Sequence, residues 1–533
     1  MTRNHLRFSA SEWLDPPILI AGEVHNSSSS SPKYMEPIWE KADRLNLNTL
    51  VLPVTWEMVE EKEGDYNFLL VDLLIRQARM HEKKIVFLWF GSFKNAQCSY
   101  APEWVKKDLV RFPRAQVKPS CNKVILESFF HMEYTTLSVF GEETLAADCR
   151  AFAALMQHLR EFDEQEHTVV MVQVENETGI MGTARERSAE ADRRFLDPVP
   201  EDFLRALSAA AEHHTNPDAS IGAIGAVSEE KGQSWSSCFG EHAEEAFQTY
   251  WTARFVDQVA AAGRAEYDLP MFVNAWLSQG GSPGEYPSGG PVAEVIDIWK
   301  AAAPHIDLIA PDIYVRNFLD VCEEYARPDN PLCIVETSTH SHLAARMVYA
   351  IGHYHACCFG PFAVEDMGQP FDAGAIALFG ADPSDPLLSA PQNEEEFSWA
   401  AGSLKELMPM LASHYGTDQL QAAIGERASD NILSFGQVQF RCDFQKQNGE
   451  LQANGYALVL QINEESFYCM FSGCRLHPES ADPSAPNLDL LRVEEGRFSD
   501  GNWHPSRILN GDETASLSFD KPELLLVRVM TYA

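Results

Sequence analysis

Two apolar runs in this chain end in carboxylates. Thr168–Gly179 reads TVVMVQVENETG and carries Glu175-Asn176-Glu177; Pro331–Thr337 reads PLCIVET and carries Glu336. A buried strand has no packing use for charge at its tip, because a carboxylate taken out of water without partners is strongly disfavoured. Glutamates delivered to the ends of two strands can instead do nucleophilic and acid–base work. One attacks an electrophilic carbon, while the other protonates the leaving oxygen and later takes a proton from water. In a retaining glycoside hydrolysis that division needs carboxyl groups about 5–5.5 Å apart. Glu177 is expected to be the acid/base, its pKa held up by burial and by a negative neighbour. Glu336 is expected to be the nucleophile, kept ionised by hydrogen-bond donors. Asn176 is placed to donate its amide to a sugar hydroxyl beside the reacting carbon. Glu175 points opposite to Asn176 in strict alternation and is expected to form a buried ion pair within the wall.

The elements that must position these residues alternate short apolar runs with amphipathic segments. Strands are expected at Ile18–Ala21, Asn48–Val54, Lys84–Phe90, Val169–Val174, Met271–Ala275, Ile306–Ile313, Leu332–Val335 and Ala356–Phe362. Eight parallel-type strands with helices between them predict an α/β fold, a (β/α)8 TIM barrel whose C-terminal strand ends carry the site. Long insertions follow strands three and four. The second contains Gly182–Arg194 and Glu229–Cys238 with Trp235, expected to wall the pocket into an exo-acting shape. After Pro383 the pattern changes. Phe397, Ala400, Leu404, Leu407 and Leu411 recur on one face of a helix over Glu396–His414. From about Gln419 alternating runs predict an all-β, sandwich-like domain. The expected domains are residues 1–385 as the barrel, 386–418 as a linking helix and 419–533 as the C-terminal β-domain.

Several polar residues follow the expected strands directly. His25 and Asn26 come after strand one, where they would bind sugar hydroxyls. Glu57 ends strand two and either accepts hydroxyl hydrogen bonds or caps the next helix. Lys94 and Asn95 follow strand three, and Lys94 reads equally as a partner of a wall carboxylate or as a substrate contact. Asn274 and Trp276 end strand five; a tryptophan there offers an apolar face to a sugar ring, with core packing the alternative. Asp312-Ile313-Tyr314 ends strand six, and Glu365 and Asp366 follow strand eight within reach of substrate.

Composition narrows the partners. The 533 residues include 41 Lys+Arg against 78 Asp+Glu, a net charge of −37. That field repels nucleic acid and anionic membranes and suits a neutral oligosaccharide. The N-terminus lacks the pattern of a signal peptide, and no run reaches 18 apolar residues. The 11 cysteines form no CxxC pair, which fits reduced thiols in a cytoplasmic protein, and Cys357 and Cys358 read as packing residues. Neither an HExxH nor a phosphate-binding glycine loop occurs, so neither metal nor cofactor is expected.

With these motifs assembled, the chain resembles family 35 β-galactosidases of the retaining barrel clan, in particular the bacterial branch with a family-specific C-terminal β-domain. The resemblance rests on GEVHNSSSSS, LNTLVLPVTWEMVEEKEGDYNF, FGSFKNAQCSYAPEWVKKDLVRFPRA and MVQVENETG, continued in order by LPMFVNAWL, PGEYPSGGP, APDIY and IVET. It covers roughly residues 15–375 and, more weakly, the tail. It implies an exo-acting hydrolase releasing terminal β-D-galactosyl residues, compatible with a homo-oligomer. It also implies that Tyr314 donates to the nucleophile. Relatives often read Ile-Pro-Glu on strand seven, where this chain has Ile334-Val335-Glu336. Strand eight usually resembles GFSPFGID, where this chain has CFGPFAVED. That difference leaves other terminal sugars open: a β-glucoside, a furanoside or an amino sugar. Transglycosylation and a non-catalytic, carbohydrate-binding barrel are the further alternatives.

Overall fold

Runs rich in Val, Ile, Leu and Phe with helix-forming segments between them become parallel strands, because a strand covered on both faces must be apolar throughout. The computed structural model describes residues 17–118, 124–126, 132–211, 220–226, 232–340, 342–369, 393–427, 431–444, 446–447, 450–451, 454–499, 501–514, 517–518 and 522–533. The expected boundary at Pro383 lies outside them. They pack as two compact units, one formed by Glu23–Trp39 with Thr49–Thr337, the other by the described parts of Met1–Gly22, Glu40–Asn48 and Ser338–Ala533.

The first unit holds a six-stranded parallel sheet. Its strands are β2 (Thr49–Thr55), β3 (Lys84–Lys94), β4 (Val169–Asn176), β5 (Met271–Trp276), β6 (Leu308–Ile313) and β7 (Glu336–Thr337, preceded by the separate short strand Cys333–Ile334). Each pairs with the next in the chain, so the order runs β2 to β7 without inversion. An uninverted order has no switch point, which separates this sheet from the doubly wound type. Glu23 bridges Val51 in parallel on the far side of β2. In the second unit β1 (Leu19–Ile20) pairs in parallel with β8 (Cys358–Phe359). Asn48 fixes β1 by accepting from the Ile20 amide and donating to the Ile18 carbonyl, both at 2.9 Å. Six sequential parallel strands in one unit and a parallel first–last pair in the other, with helices between the strands along the chain, are the strand–helix succession of a (β/α)8 barrel. All eight expected strands are present, β3 and β4 extending past the expected ends by the residues that matter for chemistry.

An all-β region follows in the second unit. Helix Glu394–His414 buries Phe397, Ala400, Leu404, Leu407 and Leu411, the expected face. Beyond it lie a six-stranded and a four-stranded antiparallel sheet. Val438–Phe444 alternates buried and half-buried residues with period two. Phe435, Phe440 and Cys442 meet Val459, Phe467, Leu525 and Val527 from the other sheet in one apolar core, the arrangement of a sandwich. The described cysteines are free thiols, Cys357 and Cys358 buried among them. Among the described residues no helix is long and apolar enough to cross a membrane.

Candidate active site

The strand ends of the first unit build the site. Asn176 is the last residue of β4, and both flanking glutamates leave extended geometry, Glu175 at φ 64° and Glu177 at φ 42°. Non-glycine residues in this region are strained and need fixing from outside. The Glu177 amide donates to Asn274 Oδ1 at 2.9 Å, and Asn274 Nδ2 donates to Asp312 Oδ2 at 2.6 Å. Asp312 is in register with Trp276 on one side and Glu336 on the other. Tyr314 donates its hydroxyl to Glu336 Oε1. From β3, Lys94 Nζ donates to Asn176 Oδ1 at 3.0 Å and lies 4.8 Å from the centre of the Phe90 ring. Asn176 is fully buried, and among the described residues its Nδ2 has no hydrogen-bond partner.

Three carboxyl groups and one ammonium thus share a desolvated space, and their titrations are driven apart. Burial raises Glu177 to about 7, reinforced by the charge of Glu336 and opposed by Lys94. Burial also raises Glu336, but Lys94 and the Tyr314 hydroxyl pull it down. Asp312 is pushed well above the usual carboxylate range by burial and then by Glu336, Glu177 and Glu23. Asp312 in turn lies beside the Glu177 carboxyl and lowers its pKa. The Tyr314 hydroxyl is held firmly protonated by burial and by Glu336. A carboxyl raised to about 7 beside one that an ammonium and a hydroxyl draw down is the pattern that acid/base assignments require.

The remaining expected residues are placed as follows. Asn274 is buried in the network just described. Trp276 is partly buried against Ala96, Tyr134 and Met181. His25 is exposed, and its carbonyl accepts from the Ser28 amide. Asn26 borders a cavity of about 20 Å³ lined by Pro53, Val59 and Leu74. Glu57 lies in the first turn of helix Trp56–Val59 and pairs with Lys106 at 3.1 Å. Glu365 belongs to the second unit, in a 3-10 turn whose carbonyl accepts from Lys41. Among the described residues Glu175 forms no ion pair with a cation: strand and facing helix bring it against another carboxyl, Asp148, and burial and that neighbour push it well above the usual carboxylate range. Trp235, expected to wall the pocket, is buried. It is 1% exposed, stacks on Phe239 and packs against Phe203, Phe247 and Tyr250; the neighbouring 227–231 lie outside the described residues.

Two members of the cluster were not assigned chemistry from the sequence. Glu23 is 1% exposed and its charge reaches Asp312 and Tyr314; its signal was a carboxylate directly after an apolar run, as at Glu177. Asp312 carried the same signal in APDIY, overshadowed by Tyr314 two residues on.

With the geometry established, known proteins can be set beside it. A family model described as a domain of unknown function (DUF5597) matches residues 401–519. No curated protein matches the sequence. Similar solved structures include a β-galactosidase from Rahnella sp. R3, 13% identical, TM-score 0.47, covering 74% of this chain and 57% of that one. A β-galactosidase from Bacillus circulans sp. alkalophilus is 11% identical, TM-score 0.44, with 74% and 57% covered. The catalytic domain of a β-amylase from Paenibacillus polymyxa is 11% identical, TM-score 0.44, with 72% and 98% covered. This chain spans less than two thirds of the length of the two β-galactosidases.

Proposed function

We propose that the chain is a retaining exo-β-glycosidase that releases terminal β-D-galactosyl residues from oligosaccharides or other β-galactosides. The observation that carries this reading is the divided titration of two buried carboxyls at the C-terminal ends of β4 and β7. Glu177 holds a proton up to about pH 7, while Glu336 is drawn towards ionisation by Lys94 and Tyr314. In the first step Glu336 attacks the anomeric carbon; the bond to the leaving oxygen breaks, and Glu177 gives that oxygen its proton. In the second step Glu177, now ionised, takes a proton from water, whose oxygen displaces Glu336 from the same carbon. Asn176 Nδ2 donates to a hydroxyl next to that carbon, and the sequence resemblance supports galactose as the sugar.

Release of nitrophenol from aryl β-D-galactoside, β-D-glucoside, β-D-galactofuranoside and β-D-glucosaminide, side by side, tests the specificity. Preference for the galactopyranoside is expected; turnover of another sugar alone would reassign the pocket. Glu336→Ala is expected to abolish hydrolysis. Glu177→Ala is expected to spare attack on a substrate with a good leaving group, slow the second step and regain turnover with added azide. If Glu177→Ala shows neither effect, the acid/base assignment falls.

A further inference from the structure

Behind the catalytic residues lies a carboxyl pair that this chemistry does not use. Glu175 and Asp148, the latter on helix Glu142–Asp163, are both fully buried. Asp148 Oδ1 accepts from Trp89 Nε1 at 2.9 Å, and Oδ2 accepts from the Ser92 amide at 3.1 Å and from the Ser92 hydroxyl. Glu175 Oε2 accepts from the Phe93 amide at 2.7 Å. Glu175 Oε1 and Asp148 Oδ1 converge beside Gly91, where an added Cβ would lie 2.7 Å from one and 2.8 Å from the other. Among the described residues no N–H or hydroxyl reaches Glu175 Oε1. Two ionised carboxylates so placed in a dry wall repel each other. A proton on Glu175 Oε1 turns the contact into an O–H···O⁻ hydrogen bond, among the strong ones.

The groups held by this pair belong to one stretch of β3, Trp89–Phe93, and that is where the sheet register slips. Trp89 is opposite Val174 and Lys94 is opposite Asn176, so five steps along β3 cover two along β4. Lys94 ends this bulge. The chain then reverses through Asn95 and Ala96, at φ 52° and 54°, with Lys94 and Gln97 exchanging both backbone hydrogen bonds, and the Ala96 amide donates to the Glu177 carbonyl at 3.0 Å. Bulges beside active sites re-aim side chains, and this one aims Lys94.

We propose that Glu175 and Asp148 form a proton-sharing positioning pair, which pins the β3 bulge so that the Lys94 ammonium reaches Asn176 and both catalytic carboxyls. It rests on the reading of Glu177 and Glu336 as those carboxyls. The groups facing Lys94 are Asn176, the Phe90 ring, Glu177, Glu336 and Asp312; those facing Glu175 are Asp148 and the Cys149 thiol, which burial holds at about 12.

The test is a pH titration of the full chain carrying ¹³C at the glutamate side-chain carboxyls, followed by NMR, with Glu177 and Glu336 assigned from E177Q and E336Q. K94M is expected to raise the Glu336 midpoint by about one pH unit, the size of a close ion-pair effect. E175A is expected to raise it in the same direction, and E175A/K94M no further than K94M. E175Q is expected to titrate like the wild type, because its amide donates to Asp148 and its carbonyl accepts from Phe93. A shifted midpoint in E175Q, or an additional shift in the double variant, overturns the proposal. Should E175A not fold, E175Q and K94M decide it alone. The readout needs no turnover, so a chain that cleaves no glycoside would defeat the glycosidase reading while leaving this test intact.

Discussion

Asp312 alters how the two glutamates share their work. Burial and its acidic neighbours push it well above the usual carboxylate range, so between Asn274 and Glu177 it can offer Glu177 a hydrogen bond without adding negative charge to the cleft. An amide in its place can do the same, so D312N is expected to keep kcat/KM within about tenfold of the wild type, whereas D312A should fall further, having lost a buried hydrogen bond. Loss of more than about a hundredfold in D312N would mean that Asp312 works as an anion. Tyr314 acts at the other carboxyl. Y314F removes the donor to Glu336, which raises the Glu336 pKa. The acidic limb of the kcat/KM profile is then expected to move to higher pH, with kcat/KM lower by roughly 10–100-fold, equivalent to about 1.5–3 kcal/mol. The basic limb reports Glu177 and should sit near pH 7, activity being lost above it as the acid gives up its proton. At this scale Glu177 and Glu336 were legible because charge interrupts an apolar run, a signal that needs no neighbours. His25 and Glu57 carry the same polarity in sequence, but which side of the chain their side chains occupy depends on turns that residue types alone do not specify.

At the scale of elements, β3 is where sequence and structure part. Its apolar stretch was visible as far as Phe90. The bulge over Phe90–Phe93 was not, because it depends on two acids 27 positions apart, Asp148 and Glu175, meeting across the wall. Gly91 is the residue that permits the meeting, since an added Cβ would lie 2.4 Å from Trp89 Nε1. G91A is expected to move the bulge and lower kcat/KM while the α-helical circular dichroism stays unchanged; full activity in G91A would show that the wall has slack. The strand-four insertion carries the opposite lesson. Trp235 read as a pocket wall because it lies in a polar loop, yet it is buried among four aromatic rings. W235A is expected to destabilise by about 3–5 kcal/mol, measured by denaturant unfolding, and to leave KM nearly unchanged.

For the molecule as a whole, the number of raised acids sets the response to pH. Glu177, Glu186 and Glu245 titrate at about 7, each chiefly through burial, and Glu175 and Asp312 lie well above their ordinary values. Their folded pKa values exceed the unfolded ones, so their stabilising contribution is full below about pH 4.3 and is lost as pH rises through about 7. Buried His340 runs the other way: its pKa is depressed, and stability is lost as it is forced to charge on acidification. The melting temperature is accordingly expected to be highest at mildly acidic pH and to fall as pH rises from about 4.3 to about 7. The net charge of −37 adds self-repulsion that salt should relieve. A melting temperature that rises over that interval would show that these acids are ionised in the folded chain. The barrel and the β-sandwich were both readable from periodicity, since strand and helix repeats are local. The packing of the described residues into two units was not, because β1 and β8 come from opposite ends of the barrel sequence.

The most direct test of Glu336 as nucleophile is trapping with an aryl 2-deoxy-2-fluoro-β-D-galactoside, followed by proteolysis and mass spectrometry. The expected result is one fluorosugar per chain, carried on the peptide that contains Glu336. Label on Glu177 or Asp312, or turnover with inversion at the anomeric carbon and no trapped sugar, would contradict it.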